Sequence, residues 1–265
     1  MSGGAPVTTE ISGGIAYIAL NRPDKRNALD SATIAALGAA LNECAAAAEV
    51  RLLQLTGAGD AFCAGADLAE MQAQARAPEA DNLAHAEKLA RVLSALDSFP
   101  KPTLARVNGD GYGGALGLIA ACDIVVVAAP AKFAFTEVRL GIIPAVVSPF
   151  VLGRIAESAA RRYFLSAEIM SAATLKEIGL AHEVVAAAQI DETCGHIAAA
   201  LLKGAPGAQS AAKQLIRAVA HETASSRAAA AANMAALLAR LRVQPEAQEG
   251  FAAFFAKRKA SWRTD

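Results

Sequence analysis

The sequence lacks an excess of charge of either sign: 25 Lys and Arg residues balance 25 Asp and Glu residues among 265. Without clustered basic residues, nucleic-acid binding has no electrostatic basis. A long hydrophobic run is also missing. The longest uncharged stretch, residues 140–153, contains two prolines and is shorter than the roughly 20 residues that a membrane-spanning helix needs. The composition therefore predicts neither a nucleic-acid partner nor a membrane partner.

Cysteine and histidine are scarce, with four of each. The cysteines form no CxxC pair and the histidines never fall at metal-ligand spacing, so we expect reduced thiols and no metal site. The first ten residues lack the basic start and apolar core of a signal peptide, and we expect a cytoplasmic protein. Hydrophobic residues are abundant, at 54% of the chain, which is enough to form a substantial core.

Strand and helix patterns alternate over the first 145 or so residues. The alternation predicts an α/β core with largely parallel strand pairing. From about residue 148 only His182–Val185 has a strand pattern, and the alanine-rich amphipathic helices there need a partner surface. The predicted elements are a hairpin around Ser12–Gly14, helices near 30–49 and 78–98, and strands at 51–56, 103–107 and 124–128.

Two glycine-rich loops each follow a strand and precede a helix. Residues 109–114 match GxGxxG, the dinucleotide-binding pattern, but that pattern needs an acidic residue at the end of the next strand and Asp123 begins it. Alternatively, this loop and residues 64–67 could present backbone N–H groups at two helix starts. Two such groups directed at one oxygen form an oxyanion hole. Ordinary tight turns explain both loops as well.

Five motifs, in this order, resemble the crotonase superfamily of enoyl-CoA hydratases and isomerases: NRPDKRNALD, GDAFCAGADL, PTLARVNGDGYGGALGLIAACDI, FAFTEVRLGIIP and EGFAAFFAKRKASW. The resemblance covers nearly the whole chain. It implies a crotonase-like spiral of β-β-α units over residues 1–200 and a helical trimerisation region over 201–265. It also implies an acyl-CoA thioester substrate, a homotrimer or homohexamer, and no cofactor beyond the coenzyme A of the substrate.

The resemblance assigns the two oxyanion-hole amides to Ala64 and Gly114 and the acid–base carboxylate to Glu137. The further residues that it implies for substrate or CoA binding are Arg22, Lys25, Arg26, Asn27, Ala28, Ala66, Asp67, Leu68, Tyr112, Gly113, Arg139, Phe254 and Lys257. Among these, Lys25 or Arg26 would meet CoA phosphates. Phe254 and Lys257 fall where family members help to close the CoA site, in some cases from the adjacent subunit.

One position departs from the hydratase pattern, because Gly117 stands where the first of two glutamates is expected. A hydratase with one carboxylate, an isomerase with one base, and a member that uses substrate-supplied chemistry all remain open. So do a non-catalytic acyl-CoA-binding member and, more distantly, an NAD(P)-dependent oxidoreductase. The sequences of these motifs most resemble those of 3-methylglutaconyl-CoA and isohexenylglutaconyl-CoA hydratases. Their substrates carry a second carboxylate, which Arg139 or a Lys or Arg of a neighbouring subunit could recognise.

Overall fold

A computed structural model describes residues 4–220 and 227–263 of the chain. It contains two β-sheets surrounded by helices. The strands of the described residues are β1 Val7–Ser12, β2 Ile15–Leu20, β3 Leu52–Gly57, β4 Ala61–Cys63, β5 Thr103–Val107, β6 Asp110–Tyr112, β7 Ile124–Ala128, β8 Lys132–Ala134, β9 Met170–Ser171 and β10 Glu183–Val185.

The larger sheet has six strands in the order β1-β2-β3-β5-β7-β10. Its first pair is the predicted antiparallel hairpin, closed by Gly13 and Gly14, which both have positive φ as such a two-residue turn requires. Every other pairing in this sheet is parallel. The prediction of an α/β core with mainly parallel strands is therefore confirmed.

The smaller sheet, in the order β4-β6-β8-β9, was not predicted. Each of its strands has only two or three residues, too few for a hydrophobic period to emerge. The expectation of a single strand after residue 148 is also wrong, because Met170 pairs with Phe133 in this sheet. Parallel pairing of β4 with β6 brings the two glycine loops side by side.

The helices of the described residues are α1 Ser31–Ala46, α2 Leu68–Gln74, α3 Glu79–Asp97, α4 Gly114–Ala121, α5 Ser148–Val151, α6 Glu157–Ser166, α7 Ala172–Glu177, α8 Ile190–Leu202, α9 Pro206–Val219, α10 Arg227–Arg242 and α11 Pro245–Phe255. Short 3₁₀ helices cover Pro23–Lys25, Glu137–Leu140 and Ala187–Gln189. The domain boundary predicted at residue 200 falls inside α8 and stays a prediction.

Helix α1 begins where predicted and ends earlier than predicted. Asp30 is its N-cap, and the carboxylate accepts from the Thr33 amide at 2.7 Å. The Lys101 ammonium donates to the carbonyl oxygens of Cys44 and Ala47, at 2.9 and 2.5 Å. A cation on the last carbonyls stabilises this helix end, and Ala47 beyond it has an extended backbone.

The six-stranded sheet is covered on both faces. Leu53 and Leu55 of β3 belong to the main core with α1, α3 and α4, whereas Leu52 faces α8. Side chains that alternate between two buried faces give the nearly continuous hydrophobic strands of a parallel sheet. None of the helices that the structure describes is both long and apolar enough to cross a membrane.

Candidate active site

The two glycine loops pack against each other with no room for side chains between them. A Cβ on Gly65 would lie 2.7 Å from the Tyr112 carbonyl oxygen, and a Cβ on Gly109 would overlap the Asp60 carbonyl. The glycine at position 109, which begins the GxGxxG match, is thus required for close approach of two chain segments. Its place in the fold gives the dinucleotide interpretation no support.

In the first loop, three of the four backbone N–H groups of residues 64–67 are already bonded. The Ala64 N–H donates to the Arg26 carbonyl oxygen at 2.9 Å, and the Asp67 N–H donates to the Leu29 carbonyl oxygen at 3.0 Å. The Gly65 amide donates to the Cys63 side chain. The assignment of Ala64 as an oxyanion-hole donor must therefore be corrected, because its hydrogen is bound within the protein.

The remaining amide of this loop belongs to Ala66. Leu29 pairs with Ala66 in a parallel bridge, in which Leu29 bonds to Gly65 and Asp67 on either side. In such a bridge the residue between the two bonded neighbours points its own N–H away from the partner strand. No described residue accepts a hydrogen bond from the Ala66 N–H, which leaves this group available to a ligand.

In the second loop, Gly114 provides a comparable group. The Gly113 N–H donates to the Ala134 carbonyl oxygen at 3.0 Å, and Gly113 has a φ of 52°. Gly114 is the first residue of α4, which has no side-chain N-cap, and the first amides of a helix have no partner within it. A Cβ on Gly114 would lie 3.3 Å from Leu29 Cδ1. Leu29 thus contacts both loops, because its backbone pairs with Ala66 and its side chain lies beside Gly114.

Glu137 lies beside the second loop. A Cβ on Gly113 would be 3.3 Å from Glu137 Oε1. The other oxygen, Oε2, is buried with no hydrogen-bond partner among the described residues. Burial raises the pKa of Glu137, an effect partly offset by its own backbone N–H. A carboxylate in this position can take up and release a proton beside the loop that carries the Gly114 amide.

The place of a first glutamate is filled by hydrophobic side chains. A Cβ on Gly117 would lie 2.6 Å from Val147 Cγ1 and 3.0 Å from Leu93 Cδ1. Val147 and Leu93 are both fully buried. The absence of a second carboxylate is therefore built into the packing around α4 and is more than a single substitution in the sequence.

A cleft of about 880 Å³ opens beside the first loop. Its predicted lining residues are Lys25, Arg26, Ala28, Ala64, Ala66, Asp67 and Leu68, and the two that sequence reasoning missed are Asp24 and Ala69. Met71 and Gln72, which from the sequence could either touch the acyl chain or belong to a lid, also line the cleft and share one face of α2 with Leu68. The cleft is thus lined by Ala66 and by the cations Lys25 and Arg26, of which Arg26 is paired with Asp110 at 2.8 Å.

Two predicted binding residues are occupied inside the protein. Arg22 does not line the cleft, because its guanidinium contacts Asp30 and Asp67 at 2.9 and 3.0 Å. The Asn27 side chain is buried, accepts from the Arg22 amide, and donates to the carbonyl oxygens of Ala58 and Ala61. These contacts correct both assignments from substrate binding to support of the loops.

The remaining predicted residues are dispersed. The Tyr112 hydroxyl lies 3.4 Å from the Asp110 carboxylate, and burial raises the pKa of Tyr112. Arg139 donates to the Ala167 carbonyl oxygen at 2.7 Å, so this guanidinium group is directed toward α6 and not toward Glu137. Phe254 belongs to α11 and Lys257 follows that helix. Neither lines the cleft beside Ala66.

The cysteine next to the first loop does not provide a nucleophile. Burial raises the pKa of the Cys63 thiol to about 12, and a protonated thiol is unreactive. No group of three or more His, Cys, Asp or Glu side chains in the described part of the chain could hold a metal ion. Glu137 is the carboxylate that lies beside Gly113 of the second loop.

Comparison with known proteins identifies the family. A model of the enoyl-CoA hydratase/isomerase family matches residues 10–265. The chain belongs to this family, within the crotonase superfamily. The crystal structure of an enoyl-CoA hydratase from Shewanella pealeana has a TM-score of 0.92 and 37% identity, covering 97% of this chain and 96% of that one. The fold of this chain is thus that of the crotonases.

Two further relatives differ in the acyl groups that their names contain. The short-chain-enoyl-CoA hydratase of Clostridium acetobutylicum is 32% identical over 79% of this chain and 80% of its own length. The (E)-benzylidenesuccinyl-CoA hydratase of Thauera aromatica is 30% identical over 79% of this chain and 81% of its own. Membership of the enoyl-CoA hydratase/isomerase family therefore leaves the acyl group to be determined.

Proposed function

We propose that this member of the enoyl-CoA hydratase/isomerase family adds water to the double bond of an α,β-unsaturated acyl-CoA, with Glu137 as its acid–base residue. The observation that carries the proposal is the position of Glu137: one oxygen lies beside the Gly113 backbone, and the other is buried and has no partner in the described part of the chain. An unpartnered buried carboxylate is costly to keep, and proton transfer at this point gives it a role.

The reaction can proceed with one carboxylate. Glu137 takes a proton from water as the water oxygen bonds to C3, and the electron pair of the double bond moves toward the thioester carbonyl. The resulting enolate oxygen accepts hydrogen bonds from the amides of Ala66 and Gly114. Glu137 then returns its proton to C2, which restores the carbonyl and the carboxylate.

Ala66 replaces Ala64 in this proposal because its N–H donates to no residue within 4–220 or 227–263. Gly114 supplies the second donor from the start of α4, where the helix dipole also favours negative charge. Fixed donors that meet charge formed only in the transition state lower the barrier, and the loss of one such donor typically reduces turnover about 10²- to 10³-fold. The cleft beside Ala66 would receive the CoA, with Lys25 and Arg26 near its phosphates.

Replacement of the carboxylate tests the proposal. Glu137→Gln should lower kcat by about 10²- to 10⁴-fold, the usual contribution of an acid–base group, when loss of the conjugated thioester absorbance is followed. The control is Glu157→Gln, which replaces an exposed glutamate on α6 and should leave turnover unchanged. A non-catalytic acyl-CoA-binding protein would be indifferent to both substitutions, and that result would refute the hydratase function.

The pH dependence offers an independent check. Hydration requires ionised Glu137 in the free enzyme, and burial raises the pKa of this group. The value of kcat/KM should therefore fall as the pH is lowered through a pKa above that of a free glutamate. An acid limb at or below the ordinary glutamate pKa would exclude Glu137 as the base.

The filled position at Gly117 favours a second candidate, an enoyl-CoA isomerase. With Val147 and Leu93 in place of a second carboxylate, Glu137 could remove a proton from C4 and return it to C2 of the same substrate. Both reactions remove the conjugated thioester absorbance, so they are distinguished by the mass of the product. Isomerisation of a 2-enoyl-CoA gives a 3-enoyl-CoA with no added water, whereas hydration increases the product mass by one water.

For the acyl group, we infer a branched glutaconyl-type substrate with a second carboxylate. The likeness of the motifs to those of glutaconyl-CoA hydratases supports this, as does the similarity to a relative that is named for a substituted succinyl-CoA. Activity on 3-methylglutaconyl-CoA but not on crotonyl-CoA would support the inference, and the reverse would exclude it. Unchanged kinetics of Arg139→Ala on the former substrate would remove Arg139 as the group that recognises the carboxylate.

We also infer assembly into trimers or hexamers. Leu140, Ile142 and Ile143, next to Glu137, are 58%, 56% and 70% exposed. Phe254 and Phe255 on α11 are exposed as well. Apolar side chains concentrated in this way need a covering surface, and Phe254 and Lys257 could then approach a neighbouring CoA site. Sedimentation velocity would give the mass of the assembly, and a monomer would contradict the inference.

A further inference from the structure

Arg22 lies where two helix starts and two chain segments meet. Its Nη1 contacts Asp30 at 2.9 Å and donates to the Ala28 carbonyl oxygen at 2.8 Å, and its Nη2 donates to Asp67 at 3.0 Å. Asp30 is the N-cap of α1 and Asp67 is the N-cap of α2. One guanidinium group thus connects the caps of both helices.

The backbone on either side of Arg22 is fixed as well. The Arg22 N–H donates to Asn27 Oδ1, and the Asn27 N–H donates to the Arg22 carbonyl oxygen, both at 2.9 Å. Asn27 is completely buried and donates to the carbonyl oxygens of Ala58 and Ala61. The segment that carries Arg22 is therefore anchored to the turn between β3 and β4, and the guanidinium group has a rigid base.

The segments that Arg22 connects are those that orient the Ala66 amide. Ala28 immediately precedes Leu29, which pairs with Ala66, and Asp67 immediately follows Ala66. We propose that Arg22 is a positioning residue, which fixes the direction of the Ala66 N–H by holding both sides of this bridge. The proposal rests on the proposed function, in which this N–H binds the thioester oxygen.

The charges explain why the position requires arginine. Arg22 is the cation between Asp30 and Asp67, whose side chains are only 22% and 12% exposed. Without it, two partly buried carboxylates at adjacent helix starts would lose their counter-charge. Lysine keeps the charge, but a single ammonium lacks the planar fork that reaches two carboxylates and a carbonyl together. Arg22→Lys therefore removes the geometry and retains the charge.

The experiment compares Arg22→Lys with Arg106→Lys. Arg106 has the same 20% exposure and also pairs with an aspartate, Asp191, but it lies on β5 away from the cleft. Three quantities are measured for each protein: kcat and KM for the enoyl-CoA, the red shift of cinnamoyl-CoA absorbance on binding, and hydrogen exchange of the peptide spanning residues 64–70. The red shift reports polarisation of the thioester carbonyl.

For Arg22→Lys we expect kcat to fall about 10²-fold, the scale of a misplacement near 1 Å, with a smaller change in KM. The red shift should shrink and exchange in residues 64–70 should accelerate, whereas Arg106→Lys should match the wild type. If kcat, red shift and exchange of Arg22→Lys all equal those of Arg106→Lys, the positioning role is wrong. The same holds if only the melting temperature falls.

The two proposals fail in different ways. If the wild-type protein neither turns over an enoyl-CoA nor shifts the cinnamoyl-CoA absorbance, the proposed function is wrong. Faster exchange of residues 64–70 in Arg22→Lys would, in that case, still show that Arg22 holds the Ala66 bridge. Normal turnover and red shift in the wild type, both retained in Arg22→Lys, would overturn the positioning role alone.

Discussion

The two loops that present free amides are held in different ways. In the first, side chains determine the position of Ala66: Asp67 caps α2, and Arg22 connects that cap to the cap of α1. In the second, α4 starts without any side-chain cap, and Gly113 is held by a backbone bond to Ala134 of β8. Similar donors thus depend on ion pairs in one loop and on main-chain packing in the other.

The difference follows from the surroundings of each loop. Helix α4 is buried along its length, so its position is set by contacts on every side. Helix α2 contains no buried residue, so little apolar packing fixes its start. A short, exposed helix has little intrinsic stability. The ion pairs of Arg22 with Asp30 and Asp67 therefore hold the start of α2, which apolar packing does not fix. Substitutions in the first loop should therefore act through lost ion pairs and caps, and those in the second loop through altered packing.

The largest effect should come from the packed loop. Gly109→Ala places a methyl group against the Asp60 backbone, which cannot move aside as a flexible side chain would. We expect a loss of about 3 kcal/mol in the free energy of unfolding, at the upper end for overpacking, measured by urea denaturation. Gly195→Ala in α8 has open space around it and should stabilise by about 0.5–1 kcal/mol. Equal effects of the two substitutions would contradict the packing argument.

The next prediction concerns the rigidity of α4. Gly117→Glu should cost about 1–3 kcal/mol through overpacking against Val147 and Leu93, and it should not increase turnover. Adding Val147→Ala makes space, and the double variant should recover part of the lost stability in the same denaturation assay. If Gly117→Glu alone folds as stably as the wild type and hydrates faster, the filled pocket is not what keeps this position free of a carboxylate.

The smallest effect is expected at Asp67, the N-cap of α2 in the first loop. Burial alone would raise the pKa of Asp67, but hydrogen bonds from Arg22 and from the amides of Ala69 and Glu70 outweigh it, so the pKa is lowered. Its ionised form therefore stabilises the fold above the pKa of about 3.9 in the unfolded chain, and this contribution is lost as the pH falls through the lower folded value.

Asp67→Asn keeps a capping group and removes the charge, so we expect a loss of about 1 kcal/mol at pH 7. The difference from the wild type should decrease below about pH 4, as measured by denaturation across the pH range. A difference that is independent of pH would show that the ion pair with Arg22 contributes nothing to the stability of the first loop.

Much of the fold could be predicted from the sequence, because its longer elements have clear patterns. The strands around 52–57, 103–107 and 124–128 are hydrophobic and bounded by polar or glycine residues, and Asp30 marks a helix start. The smaller sheet could not be predicted. Its strands are defined by pairing between distant segments, and three residues such as Ala61–Cys63 carry no period of their own.

The site was predicted less completely. The motifs led to the two loops, to Glu137 and to most residues of the cleft. They could not show which amide of 64–67 is free, because that depends on the pairing of Leu29 with Ala66, which is a tertiary contact. The same limit applies to Arg22 and Asn27, which the resemblance assigned to substrate binding: the motif shows their positions in the chain, whereas their partners Asp30, Asp67, Ala58 and Ala61 are seen only in the fold.

The proposed mechanism depends most directly on where the thioester oxygen binds. A crystal structure of Glu137→Gln with a bound enoyl-CoA would place this oxygen. We expect it within hydrogen-bond distance, about 2.7–3.2 Å, of both the Ala66 and the Gly114 nitrogens. A thioester oxygen bonded to only one of them, or bound elsewhere in the cleft, would contradict the mechanism proposed for this protein.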